Sequence, residues 1–99
     1  MVAVDGSVHP NFAEVAQAFR SQLAKTSGGA AVCVVQRGET VVDLWGGRRT
    51  EDELWERDTL SMSFSTTKGV ASTALHILVD RGLVDLDAPV AQYWPGFEQ

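Results

Sequence analysis

The sequence predicts an α+β fold, built from a helix, an antiparallel β-hairpin and a second helix in that order. Apolar residues recur at helical spacing in two stretches, residues 11–25 and residues 65–81. Between them lie two runs rich in β-branched residues, joined by a short connection that contains glycine. Helices that flank a hairpin, without regular alternation of strands and helices, are typical of the α+β class.

The first predicted helix runs from Asn11 to Lys25 and has one apolar face. Five apolar residues form this face: Phe12, Val15, Ala16, Phe19 and Leu23. Asn11 is of a type that caps helix N-termini, and Gly28-Gly29 are a stop signal after the helix. The residues from Met1 to Pro10 include Asp5 and His9 and contain no unbroken apolar run, and we expect a loose segment there.

The predicted hairpin pairs Ala30–Gln36 with Thr40–Trp45 across the connection Arg37-Gly38-Glu39. From Ala30 to Val35 every residue is apolar, which predicts a strand covered on both faces. The single cysteine, Cys33, lies within this run, so we expect a buried, unreactive thiol and no intrachain disulfide.

A polar segment separates the hairpin from the second helix. Residues 48–53 consist of a block of positive charge followed by a block of negative charge, without an apolar period, which predicts a solvated loop. Trp45 and Trp55 flank this loop, and we interpret them as packing residues. A short strand is predicted at Thr59–Met62, directly before the second helix.

The second predicted helix begins near Ser65 and ends at Arg81, where Gly82 follows as a stop signal. Its apolar residues cover more than one face of the helix: Val70, Ala71, Ala74, Leu75, Ile77 and Leu78. A helix with this distribution is usually buried. We therefore expect most of this helix to be covered by other parts of the fold.

Length and charge restrict the kinds of function that remain. A chain of 99 residues supports at most one domain with a modest core. Its net charge of −5 provides no basic stripe for nucleic acid or for an anionic membrane surface, so neither is expected as a partner. The first ten residues lack the apolar core of a signal peptide or anchor, which favours a cytoplasmic protein.

The sequence Ser65-Thr66-Thr67-Lys68 contains a nucleophile and a base at helical spacing. A serine hydroxyl is a weak nucleophile until a base within hydrogen-bond reach removes its proton. Residues three apart lie on one face of a helix, so the Lys68 side chain can fold back to Ser65. At a helix N-terminus, free N–H groups also favour developing negative charge, and the Ser65 N–H is a candidate oxyanion donor.

A purely structural reading of the same residues is that Ser63 or Ser65 caps the helix while Lys68 lies in solvent. The residue types around the motif argue for function instead. Thr66, Thr67 and Gly69 are poor helix formers, and a helix start that serves stability alone usually avoids them. Taken on the residues alone, both readings stay open.

The flanking sequence resembles a known family. The resemblance lies in these stretches: Asp58-Thr59-Leu60, Ser63 to Val70, Leu78 to Val90, Tyr93 to Phe97 and, upstream, Trp45-Gly46-Gly47. Together they resemble the class C β-lactamase superfamily and are most similar to family VIII carboxylesterases and related actinobacterial esterase/lipase-type serine hydrolases. The resemblance implies the N-terminal portion of the β-lactamase/transpeptidase-like fold, with Ser65 as the acylated nucleophile and Lys68 as its base. It implies no cofactor and no metal.

Other parts of that family's active site have no counterpart in these residues. The family uses a tyrosine in a Tyr-x-Asn or Tyr-Ser-Asn motif and a glycine-containing strand, such as Lys-Thr-Gly, and neither motif occurs here. Tyr93, the sole tyrosine, lies in a Tyr-Trp-Pro turn and is predicted to be structural. Because the family's chains run to several hundred residues, residues 1–99 are expected to be an incomplete N-terminal segment of one β-lactamase-like domain, with little turnover.

Three hypotheses for function follow. The first is hydrolysis of small acyl esters through an acyl-serine. The second keeps the fold and changes the substrate to a β-lactam or a D-Ala-D-Ala type peptide. The third is a non-catalytic interaction module. If part of the domain is absent, its apolar helix would face water, so we expect self-association or binding of the missing remainder of the domain.

Overall fold

The computed structural model describes residues 2–97, which form two compact units, Met1–Leu60 and Ser61–Gln99. The first unit contains three strands and a helix: β1 (Val4–Val8), α1 (Ala13–Leu23), β2 (Gly29–Gln36) and β3 (Glu39–Gly47). The second contains the helix α2 (Thr66–Asp80). The observed elements confirm the predicted α+β class. The prediction of a single domain, residues 1–99, stays a prediction.

The sheet is antiparallel, with the strand order β1-β3-β2. β1 was not predicted, because Asp5, Gly6 and Ser7 are residue types depleted in strands. Its formation depends on pairing with β3, which places Val8 opposite Val42. Gly6 has a φ of 112°, and a Cβ there would collide with the Asp43 carbonyl oxygen. Tertiary pairing therefore outweighs a weak local strand preference in this segment.

The start of α1 differs from the prediction in its cap. A 3₁₀ turn at Pro10–Phe12 precedes the helix, and Nδ1 of His9 accepts a hydrogen bond from the Asn11 N–H at 3.2 Å. The prediction that Asn11 is the N-cap is therefore wrong, because Pro10, with its fixed φ, initiates a turn one residue earlier. The His9 N–H also donates to the Val41 carbonyl at 2.8 Å, so this segment is anchored to the sheet rather than loose.

The predicted hairpin is confirmed. β2 and β3 are joined by Arg37 and Gly38, whose φ angles of 52° and 82° are both positive, as a type I′ turn requires. The register shifts at a bulge between Val34 and Val35. The tight turn fixes the pairing of the two strands and aligns Val34 with Val42.

The core of the first unit lies between α1 and one face of the sheet. Ala16 from α1 and Val42 and Leu44 from β3 are almost fully buried. The prediction that β2 is covered on both faces is wrong, as is the prediction of a buried Cys33, which is exposed. Within the described residues α1 supplies a second layer on one face of the sheet only, so an apolar strand keeps a solvent-facing side.

The segment after β3 forms a loop, as predicted, with more internal structure than its charge pattern indicates. Arg48 pairs with Leu54 in an isolated bridge, and Trp55 packs so closely on the sheet that a Cβ at Gly29 would lie 2.5 Å from its indole ring. The strand predicted at Thr59–Met62 is not formed. Thr59 instead closes a turn by donating its N–H to the Glu56 carbonyl at 3.2 Å.

In the second unit, α2 ends in a glycine cap. Gly82 has a φ of 69°, and the N–H groups of Gly82 and Leu83 donate to the carbonyls of Val79 and Leu78, both at 2.9 Å. The prediction of a mostly buried helix is wrong, because α2 contains no buried residue. The unit adds only short turns to α2, which are too few to cover its apolar faces. No helix within residues 2–97 is both long and apolar enough to cross a membrane.

Candidate active site

The candidate site lies at the N-terminus of α2, where an extended segment meets the helix. Ser65 occupies the N-cap position, with φ 63° and ψ −7°, in the left-handed region that non-glycine residues rarely adopt. A serine at an N-cap normally has extended backbone and accepts a hydrogen bond from the first helical turn. Ser65 makes no such bond. Its side chain is therefore not used to stabilise the helix end.

The hydroxyl of Ser65 contacts Lys68 instead. Nζ of Lys68 donates a hydrogen bond to Oγ of Ser65 at 3.0 Å, and both residues are solvent-exposed. This is the approach that the Ser-x-x-Lys spacing predicts. The capping alternative does not describe Ser63 either, since its Oγ lies 2.5 Å from Oγ1 of Thr66 and caps no backbone N–H. In this geometry Lys68 is within reach of the Ser65 proton.

The local electrostatics favour negative charge beside the pair. The first turn of α2 contains no acidic residue that would occupy its N–H groups. The backbone N–H of Lys68 closes the first turn by donating to the Ser65 carbonyl at 3.0 Å, which fixes the backbone of the two residues relative to each other. The positive end of the helix dipole therefore acts on the end of α2 where the Lys68 side chain meets Ser65.

The backbone of Ser65 is also unusual within residues 2–97. Arg37 is the other non-glycine residue there with a positive φ, and its type I′ turn requires that conformation. No turn of that kind imposes a left-handed conformation on Ser65. Strained backbone of this kind is concentrated at active sites, where it orients a reacting group.

Comparison with known proteins shows the family to which this chain belongs. The sequence model of the family described as Beta-lactamase matches residues 15–99, which include the whole of α2 and the Ser65–Lys68 pair. This chain belongs to the β-lactamase family. The predicted membership of the serine β-lactamase-like superfamily is confirmed.

A curated relative supports the same assignment. The Esterase/beta-lactamase LipL of Mycobacterium tuberculosis (strain ATCC 25618 / H37Rv) is 45% identical over 97 residues, which are 95% of this chain and 23% of the relative. The chain thus spans about a quarter of the length of the relative that it matches. The name of that relative combines two of the activities that the sequence left open.

Tyr93 takes a structural position in this β-lactamase-family chain. Its hydroxyl oxygen accepts a hydrogen bond from the Asp85 N–H at 2.8 Å, which ties the C-terminal turns together. Nδ1 of His76 lies 2.8 Å from the Ser72 carbonyl, one turn earlier in α2. Both contacts are local to the unit, and neither side chain contacts the Ser65 hydroxyl. Across residues 2–97, no group of three or more His, Cys, Asp or Glu residues is arranged to hold a metal ion.

The contact between Ser63 and Thr66 was missed from the sequence. The sequence indicates Ser63 as a candidate cap and Thr66 as a poor helix former, and neither property predicts that the two side chains meet. The signal in the sequence is a pair of hydroxyl residues three positions apart, one on either side of Ser65. That spacing allows their side chains to meet when the residue between them turns back on itself, as Ser65 does here.

Proposed function

We propose that this β-lactamase-family chain carries the nucleophile and base of a carboxylesterase that hydrolyses small acyl esters. The observation that carries the proposal is the 3.0 Å contact between Nζ of Lys68 and Oγ of Ser65, made at a left-handed Ser65 that does not cap its helix. The serine is free of a structural hydrogen bond and is paired with the one group nearby that can exchange its proton.

The proposed chemistry proceeds in two halves. In the first, unprotonated Lys68 takes the Oγ proton as Ser65 attacks the ester carbonyl carbon and forms a tetrahedral oxyanion. The oxyanion collapses, the C–O bond to the alcohol breaks, and Lys68 returns the proton to the departing alcohol. In the second, water attacks the acyl-serine with the same base, which releases the carboxylic acid and regenerates Ser65.

Oxyanion stabilisation sets the expected rate. The Ser65 N–H is the donor we propose at the positive end of α2. Loss of one oxyanion donor typically costs about 10²–10³-fold in rate. Neither a Lys-Thr-Gly type strand nor a Tyr-x-Asn motif occurs in the 99 residues, and the pair is exposed to water. We therefore propose that this chain acylates slowly and turns over little by itself.

The test is a single-turnover assay with p-nitrophenyl acetate. If the proposal holds, the chain releases up to one equivalent of p-nitrophenol, and an acetyl adduct appears on the peptide that contains Ser65. Ser65→Ala abolishes the release. Ser72→Ala, which alters an exposed serine on the same helix, leaves it unchanged. Equal release from wild type and Ser65→Ala contradicts the proposal.

A second candidate is hydrolysis of a β-lactam. It is supported by the family description Beta-lactamase and by the combined name of the M. tuberculosis relative. Opening of a β-lactam ring uses the same attack by Ser65, but the leaving amide nitrogen stays attached to the acyl group. A chromogenic cephalosporin offered under the same conditions separates the two. Acylation by the cephalosporin but not by the ester favours this candidate.

We also propose what covers the apolar side chains of the second unit. Met62, Phe64 and Val70 are 79%, 84% and 66% exposed. Because the matched segment is 23% of the relative, the proposed partner is a further part of a β-lactamase-like domain. Light scattering of the purified chain tests this: a monomer that binds no apolar dye contradicts it, and a homo-oligomer identifies a second copy as the partner. Cytoplasmic location and the absence of nucleic-acid and membrane partners stay predictions.

A further inference from the structure

The hydroxyl groups of Ser63 and Thr66 meet across the candidate nucleophile. Their oxygen atoms lie 2.5 Å apart, and the two residues stand two positions before and one position after Ser65. Ser63 belongs to the extended segment that enters the helix, and Thr66 is the first residue of α2. The contact therefore joins the two sides of the bend at Ser65.

We propose that Ser63 and Thr66 are positioning residues that hold Ser65 in its left-handed conformation and so keep its Oγ against Lys68. The inference rests on the proposed function of Ser65 as nucleophile. The left-handed region is unfavourable for serine, so the conformation persists only where surrounding contacts select it.

Side-chain packing does not select the left-handed conformation of Ser65. Phe64, the residue just before Ser65, is 84% exposed, and Ser65 is itself exposed. Within residues 61–68, all of which the structure describes, two side-chain hydrogen bonds occur, Ser63 with Thr66 and Lys68 with Ser65. The bond between Lys68 and Ser65 is the contact that has to be explained. The bond between Ser63 and Thr66 is the one that closes a loop around Ser65.

The size of the effect follows from the strength of such a bond. A neutral hydrogen bond contributes enough to change an equilibrium between about 2- and 10-fold. Without it, we expect Ser65 to shift toward extended or right-handed backbone, which turns Oγ away from Lys68. The fraction of chains in which Lys68 contacts the Ser65 hydroxyl then falls about 2- to 10-fold, and the rate of acylation of Ser65 falls with it.

The test uses the whole 99-residue chain and five variants. Ser63→Ala and Thr66→Val remove one hydroxyl each, and Thr66→Val keeps the side-chain shape. Ser63→Thr and Thr66→Ser keep a hydroxyl. Ser61→Ala is the matched control, an exposed serine two positions earlier that has no side-chain hydrogen bond within the described residues. Far-UV circular dichroism verifies that α2 is retained in each.

Two measurements are made on each variant. The first is the three-bond HN–Hα coupling of Ser65 by NMR, read together with the intraresidue HN–Hα nuclear Overhauser effect, because several φ values share one coupling and the two protons lie closest at a positive φ. The second is the rate of covalent labelling by a fluorophosphonate. We expect both hydroxyl deletions to shift the coupling away from its wild-type value and to label about 2- to 10-fold more slowly, with wild-type behaviour in the variants that keep a hydroxyl and no change in Ser61→Ala.

An unchanged Ser65 coupling in Ser63→Ala and Thr66→Val overturns the inference, whatever the labelling rate. A changed coupling with an unchanged labelling rate also overturns it, because the conformation would then not matter for reactivity. If the wild-type chain does not label at all, the proposed function fails. The NMR measurement still decides whether Ser63 and Thr66 hold Ser65 in its left-handed conformation.

Discussion

Val42 is the residue whose truncation tests the packing of the first unit most directly, because its side chain is 0% exposed between α1 and the sheet. Val42→Ala removes two methyl groups. At about 0.8 kcal/mol per buried carbon the transfer contribution is about 1.6 kcal/mol. A cavity contribution of about 1 kcal/mol adds to this, since a rigid hairpin on one side limits collapse. The free energy of unfolding should fall by about 2 to 3 kcal/mol.

The matched control is Val35→Ala on the neighbouring strand β2, where the side chain is 60% exposed. The same chemical change should cost about 0.6 kcal/mol there, without a cavity contribution. Urea denaturation is followed by fluorescence in a Trp94→Phe background, so that Trp45 and Trp55 report the Met1–Leu60 unit. Equal losses in the two variants would refute the proposed core.

Three further predictions concern the backbone. Gly46→Ala should lower the free energy of unfolding by about 1–3 kcal/mol, because the new Cβ collides with the Ala3 carbonyl; an unchanged urea midpoint contradicts this. His9→Ala should lower the free energy of unfolding by about 0.5–1 kcal/mol, because it removes the acceptor for the Asn11 N–H. The same urea titration of His9→Asn, which keeps an acceptor, is the control. Ser65→Gly should raise the protection of α2 amides in hydrogen exchange by up to about 1 kcal/mol, since glycine tolerates a positive φ; a loss of protection argues against strain.

The features that could be predicted from the sequence are those fixed by local chemistry. Gly38 and Gly82 both have a positive φ at the turn and the helix end where the sequence placed them. The contact between Ser65 and Lys68 also follows from local geometry, because three residues along a helix bring the side chains together. In each case the relevant interaction spans no more than a few residues.

The features that were missed depend on partners distant in the chain. β1 forms because β3 pairs with it, and nothing in Asp5-Gly6-Ser7 indicates that partner. The exposure of Cys33 and of α2 depends on which layers are present to cover an apolar face. Periodicity identifies an apolar face but does not provide the element that packs on it. The left-handed Ser65 is an exception, since the contact proposed to hold it is a local one between Ser63 and Thr66.

Covalent labelling of Ser65 by a fluorophosphonate, located by peptide mass spectrometry, tests the central claim most directly. We predict one adduct, on the peptide that contains Ser65. Lys68→Met should slow its formation by about 10²–10⁴-fold, the usual contribution of a general base. Lys25→Met, which alters the other lysine, should label at the wild-type rate. An adduct elsewhere, or labelling of Lys68→Met at the wild-type rate, would contradict the assignment of Ser65 and Lys68 as nucleophile and base.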